Sequence, residues 1–92
     1  MVSLRGEIDL AVRDEIERQL ADGAAAAVAG ECDLYVDLGA VTFIDSTGLA
    51  CVVRTAAALE ASGRRLQLCN VPPIVLRLLE LTGLSELIKP LP

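Results

Sequence analysis

Apolar positions along the chain follow two different spacings, and the changes between them divide it into elements. Leu34, Val36 and Leu38 alternate with Tyr35 and Asp37, the two-residue period of a half-buried strand, here spanning Asp33 to Leu38. Before it, Val12, Ile16, Leu20, Ala24 and Val28 recur every four residues, which predicts a helix from Leu10 onward with Asp9 as its N-cap and Gly30 as its end. Arg13, Asp14, Glu17, Arg18 and Asp22 fall on the other side of that helix, with Asp14 and Arg18 spaced for an i,i+4 ion pair. Val2 to Arg5 predicts a short strand ending at Gly6. A second helix is predicted from about Thr47 to Ala61, burying Leu49, Val52, Val53, Ala56 and Leu59, with Gly63 as its left-handed stop. Leu66 to Asn70 predicts a strand. Pro72 and Pro73 suit the first turn of a helix over Ile74 to Leu81 that Gly83 closes, and Leu87 to Leu91 predicts a last strand. The order β-α-β-α-β-α-β implies an α/β fold with one sheet of about four mainly parallel strands joined by right-handed helical crossovers.

Composition narrows the function. At 92 residues with 53% hydrophobic content, the chain is expected to form a single domain over residues 1–92, able to bury a core without metal or disulfide staples. Aromatics are 2% and the net charge is −5, so no stacking platform and no basic face is available for nucleic acid. The absence of histidine removes the usual general base and the commonest metal ligand. Cys32, Cys51 and Cys69 are odd in number and irregularly spaced among aliphatic residues, the pattern of small core hydrophobes in a reducing compartment. No apolar run approaches the ~20 residues of a membrane span, and Arg5, Glu7 and Asp9 interrupt any signal-peptide pattern. A cytoplasmic protein without membrane insertion is expected.

The informative stretch is Val41-Thr-Phe-Ile-Asp-Ser-Thr-Gly-Leu49, which sets Asp45, Ser46 and Thr47 between a strand region and the mouth of the second helix. Unpaired amides and the helix dipole favour an anion there, so a phosphoryl group on Ser46 would be partly stabilised by its own helix. Taken alone, Ser46 or Asp45 reads first as an ordinary N-cap, since residues of this type begin most helices. A nucleophilic role for Ser46 lacks its supports. The first glycine of G-x-S-x-G is replaced by Ile44, no histidine can activate the hydroxyl, and the only lysine is the distant Lys89. No phosphate-binding G-x-x-x-x-G-K-[ST] loop occurs. Asp9 also follows a strand and precedes a helix, so a parallel topology brings it to the same sheet edge as Asp45. Those two carboxylates could take Mg²⁺ beside a phosphate, but nothing else completes a metal shell. No metal and no cofactor is therefore expected.

Gly6-Glu7-Ile8-Asp9, Leu34-Tyr-Val-Asp-Leu38, Phe43-Ile-Asp-Ser-Thr-Gly-Leu49 and Leu79-Glu-Leu-Thr-Gly-Leu84 occur in an order that resembles the STAS domain family, specifically the bacterial anti-sigma factor antagonists. The D-S-x-G-L block is the specific part. The resemblance implies a small switch that binds an anti-sigma factor, usually a serine kinase, and so frees a sigma factor. It further implies that Ser46 is phosphorylated by that kinase and reset by a phosphatase. Asp45, Thr47, Gly48 and Leu49 are then expected to dock on the partner, with Asp9 at the acidic position beside the phosphorylation site. The alternative within the family is a non-switching scaffold of a stress-signalling complex or a transporter-associated subunit. Family members usually carry a further strand before Val2 to Arg5 and a further helix at the end. Without that strand a sheet edge is exposed, which implies either self-association as a homodimer through the edge or a misplaced start.

Overall fold

The computed structural model describes residues 1–82, and the sheet at its centre is built from strands that run in one direction. β1 (Val2–Ile8) pairs in parallel with β2 (Leu34–Ile44), and β2 with β3 (Leu66–Cys69), giving the order β1-β2-β3. α1 (Arg13–Ala29), preceded by a single 3₁₀ turn at Leu10–Val12, links β1 to β2; α2 (Ser46–Ala61) links β2 to β3; α3 (Pro73–Thr82) follows β3. Because successive strands step across the sheet one way, right-handed crossovers lay α1 and α2 on the same face, where they pack against each other. The α/β class and the parallel strands agree with the pattern of the sequence. The expected closing role of Gly83 and the strand over Leu87 to Leu91 lie outside the described residues.

The core sits between that face and the helices. Leu4 and Ile8 of β1, Val36 and Leu38 of β2, and Leu66 and Leu68 of β3 point into it. From the helices come Ile16 and Leu20, then Val52, Ala56 and Leu59. Among the described residues no polar or charged side chain is buried. Ser3, Arg5, Glu7 and Tyr35 are exposed, as the alternating period requires of strands covered on one side.

Several boundaries differ from the sequence pattern, each for a physical reason. β1 continues through Gly6 to Ile8, and β2 runs on to Ile44 rather than stopping at Leu38. Alternation fails after Leu38 because β2 carries two extra residues relative to β1, at register shifts between Ser3 and Arg5 and between Gly6 and Glu7. The first bulge flips the sequence parity of the inward face and the second restores it, so Val41 is buried where strict alternation would bury Ala40 and Thr42, and Ile44 faces inward again. On α1 the ends of the four-residue stripe, Val12 and Val28, are exposed, and Ala27 is buried instead. The expected Asp14–Arg18 pair is absent: Arg18 binds Glu15 at 2.6 Å and Asp22 at 3.6 Å. Glu17 accepts from Arg13 at 3.1 Å and from Arg54 on α2 at 2.7 Å, a polar clasp across the two helices. Cys51 is buried, but Cys69 is half-buried and Cys32, in the turn after α1, is exposed, so that cysteine is not a core residue.

α3 begins at Pro73, and the carbonyl of Pro72 accepts from the amides of Val75 and Leu76 at 3.0 Å. A proline at the first helical position has no amide hydrogen to leave unpaired. Val75 and Leu79 turn inward, and Leu78 is partly buried.

Candidate functional site

Both residues flagged as capping aspartates do cap. The Asp9 carboxylate accepts from the Ala11 amide at 3.1 Å at the start of the 3₁₀ turn. The Asp45 carboxylate accepts from the Gly48 amide at 3.0 Å, and the Asp45 carbonyl takes the Leu49 amide at 3.0 Å as the first bond of α2. Both have extended backbones, the geometry of an N-cap. Each carboxylate thus has a local structural role at a helix start.

Parallel pairing brings the two caps to neighbouring strand ends. Ile8 and Ile44 are register partners, and the Asp45 amide donates to the Ile8 carbonyl at 3.1 Å, one residue before Asp9. The loop that holds Ser46 is therefore tied to the end of β1. Gly48 locks the tie. A Cβ built on it would stand 2.8 Å from the Ile8 carbonyl oxygen and 3.0 Å from Ile44 Cγ1, so the first turn of α2 lies directly on the strand ends.

Ser46 is the first residue of α2 and is exposed; Thr47 is half-exposed. The amides of these first two positions have no partner within the helix, and the dipole adds positive potential at the same point. The geometry at Ser46 is that of an accessible hydroxyl at a helix mouth, with the carboxylates of two neighbouring caps close by in the fold. Gly48 and Leu49 behave differently from a docking pair. Gly48 is buried and the Leu49 side chain is only 8% exposed in the core, so both support the loop from beneath and present no side chain to a partner.

The sequence pattern missed three exposed apolar side chains at this end of the molecule. Leu10 is 66% exposed, Phe43 50% and Ile74 64%. Phe43 and Ile44 are adjacent apolar residues at a strand end, and only one of them can point into the core; that adjacency was the available signal. Leu10 gave a similar one, as an apolar residue directly after a capping aspartate.

Fold and site together define a parallel α/β unit with an exposed serine at a helix mouth. Among the described residues, no helix is long and apolar enough to cross a membrane. Over residues 1–89 the sequence matches the family described as "Mlab, STAS domain", and the chain belongs to the STAS domain family. It is 36% identical over 86 residues to the anti-sigma-B factor antagonist of Staphylococcus aureus (strain NCTC 8325 / PS 47), a match covering 94% of this chain and 77% of that one. The anti-sigma-B factor antagonist of Staphylococcus epidermidis is 34% identical over the same coverage. In fold, the chain is similar to a Thermotoga maritima protein assigned as an anti-sigma factor antagonist, with a TM-score of 0.80, 23% identity and coverage of 96% of this chain and 75% of that one. It is also similar to the anti-sigma factor antagonist SpoIIAA in its unphosphorylated form, with a TM-score of 0.65, 22% identity and coverage of 85% and 69%.

Proposed function

We propose that this protein is a cytoplasmic anti-sigma factor antagonist, a binding module and not an enzyme, whose unphosphorylated form binds an anti-sigma factor and releases the sigma factor. The anti-sigma factor is a serine kinase that phosphorylates Ser46, and a phosphatase restores the free hydroxyl. The names of the staphylococcal relatives support the role. The observation that carries the site is the exposure of Ser46 as first residue of α2, on a loop tied to Ile8 and flanked in the fold by Asp9 and Asp45.

Charge supplies the mechanism. Phosphorylation adds about −1.5 to −2 at a surface that must lose water on docking, on a chain already at −5. The helix mouth stabilises that charge in the free protein, whereas a partner surface shaped for a neutral hydroxyl desolvates it without compensation. About 1.4 kcal/mol weakens affinity tenfold, so a penalty of a few kcal/mol suffices to release the partner. Asp45 and Thr47 frame the serine at the contact, and Asp9 lies beside it.

Incubation with a cognate anti-sigma kinase and ATP tests the assignment. Phosphate incorporation is expected in the wild type and not in Ser46→Ala, and Ser46→Asp is expected to lose binding to the kinase. Incorporation unchanged in Ser46→Ala removes Ser46 from its role, and binding indifferent to Ser46→Asp points to the non-switching scaffold. β1 lies at the edge of the sheet among the described residues, so a second chain can pair there. Light-scattering mass across a dilution series reads that association, and a monomer at all concentrations excludes it.

A further inference from the structure

Next to the serine loop lies an apolar recess that the switch does not use. Thr42, Phe43 and Ile44 at the end of β2 and Ile74 and Leu78 on α3 line a cavity of ≈ 240 Å³. Two of its walls, Phe43 and Ile74, are among the exposed large apolar side chains of the molecule. Large apolar groups that converge on a recess with a polar rim mark an interaction site more strongly than scattered ones. Ile44 lines the recess, and the next two residues are Asp45, the N-cap of α2, and exposed Ser46. The recess therefore lies within two residues of the serine along the chain.

We propose that this recess receives an apolar side chain of the same anti-sigma partner that meets Ser46, an inference that rests on the function proposed above. The five lining residues carry no charge. Around them stand Asp45 and Asp9 at the strand ends, Glu7 as the register partner of Phe43, and Glu80 with Arg77 on α3 beside Ile74. Among these described neighbours four are acidic and one is basic, which gives that side of the recess a negative potential. The complementary surface is an aliphatic or aromatic side chain flanked by lysine or arginine. A second copy of this chain, at −5, would bring like charge to that rim and is disfavoured there. Affinity then comes mainly from the recess, and Ser46 governs whether the surfaces can close.

Calorimetric titration of the full chain with the purified anti-sigma kinase that phosphorylates it tests the proposal, with circular dichroism to confirm folding of each variant. Phe43→Ala and Ile74→Ala are each expected to raise Kd about tenfold or more. Val28→Ala, at the far end of α1, is expected to leave Kd within twofold. A photoreactive benzoylphenylalanine at position 43 is expected to crosslink to the kinase. Binding within twofold of wild type in both recess variants, while Ser46→Asp weakens it, overturns the recess and leaves the switch standing. Weakening by Phe43→Ala with no effect of Ser46→Asp supports the recess and overturns the switch. Crosslinking only to another copy of the chain overturns the recess in favour of a homodimer contact, and no binding by the wild type overturns both proposals.

Discussion

A side-chain carbon on Gly48 would stand 2.5 Å from Ile8 Cγ2 and 2.8 Å from the Ile8 carbonyl oxygen. The second contact is with backbone, and that same oxygen accepts the Asp45 amide, so it has little freedom to move aside. Gly48→Ala is expected to lower stability by about 1–3 kcal/mol through overpacking, even though alanine favours the helix by up to about 1 kcal/mol. Gly23 provides the contrast, because an added Cβ there meets only side-chain atoms, Val2 Cγ2 at 2.6 Å and Leu34 Cδ1 at 3.1 Å. Gly23→Ala is expected within about 1 kcal/mol of wild type, the propensity gain offsetting the repacking. Urea denaturation of both variants checks the ranking.

Removing the Asp45 cap frees the Gly48 amide in a half-buried setting. Asp45→Ala is expected to cost about 1 kcal/mol. Asp45→Asn retains an acceptor of the same reach and is expected to cost only a few tenths of that, by thermal or urea unfolding. Equal losses in both variants would show that the charge of the carboxylate, not its accepting oxygen, stabilises the helix start.

The three thiols differ in access. Burial, with the Glu17 carboxylate next, pushes the Cys51 thiol above its ordinary pKa, which keeps it protonated and poorly nucleophilic. Under native conditions at pH 8, DTNB is expected to label exposed Cys32 first and Cys51 last, with Cys69 between them. Mass mapping after timed alkylation reads the order, and early modification of Cys51 would contradict the packing of α1 on α2.

Glu17 connects pH to stability. The hydrogen bond from Arg13, together with the charges of Arg13 and Arg54, holds its carboxyl below the usual range. The folded chain binds that proton less readily than the unfolded one, so the clasp stabilises above the ordinary carboxylate pKa and fades as pH falls through the lowered one. Because the group is exposed, the effect is small. Glu17→Gln is expected to be slightly less stable than wild type at pH 7, with the gap closing below roughly pH 4.3. A gap that is constant between pH 7 and pH 3 would assign the loss to packing.

Local chemistry was legible and long-range geometry was not. Asp9, Asp45 and Pro73 announce helix starts by properties of single residues, and the order of the strands followed from alternation of elements. A four-residue step, by contrast, overshoots a helical turn by about 40°, so the stripe from Val12 to Val28 drifts off the core at both ends. The true inner face substitutes Ala27, which no regular spacing from Val12 singles out. β2 is longer than its alternation suggests because its bulges depend on pairing with β1, which is not written in β2 itself. At the site, Leu49 satisfied both a buried stripe and a docking motif, and only the packing of α2 on the strand ends decides for the core. Phe43 and Leu10 escaped notice for the opposite reason: apolar residues are assumed inside until a structure shows them outside.

The two surplus residues of β2 make the position of Ser46 a matter of counting. Deleting a single residue between Gly39 and Thr42 would force the β1–β2 ladder either to give up one of its bulges or to pull Asp45 away from the Ile8 carbonyl that now accepts its amide, with every amino acid of the motif still present. Length in that short run is therefore under as tight a constraint as the motif's own letters, and a homologue that keeps Asp-Ser-Thr-Gly but alters the spacing before it would hold its serine at a different height above the end of β1.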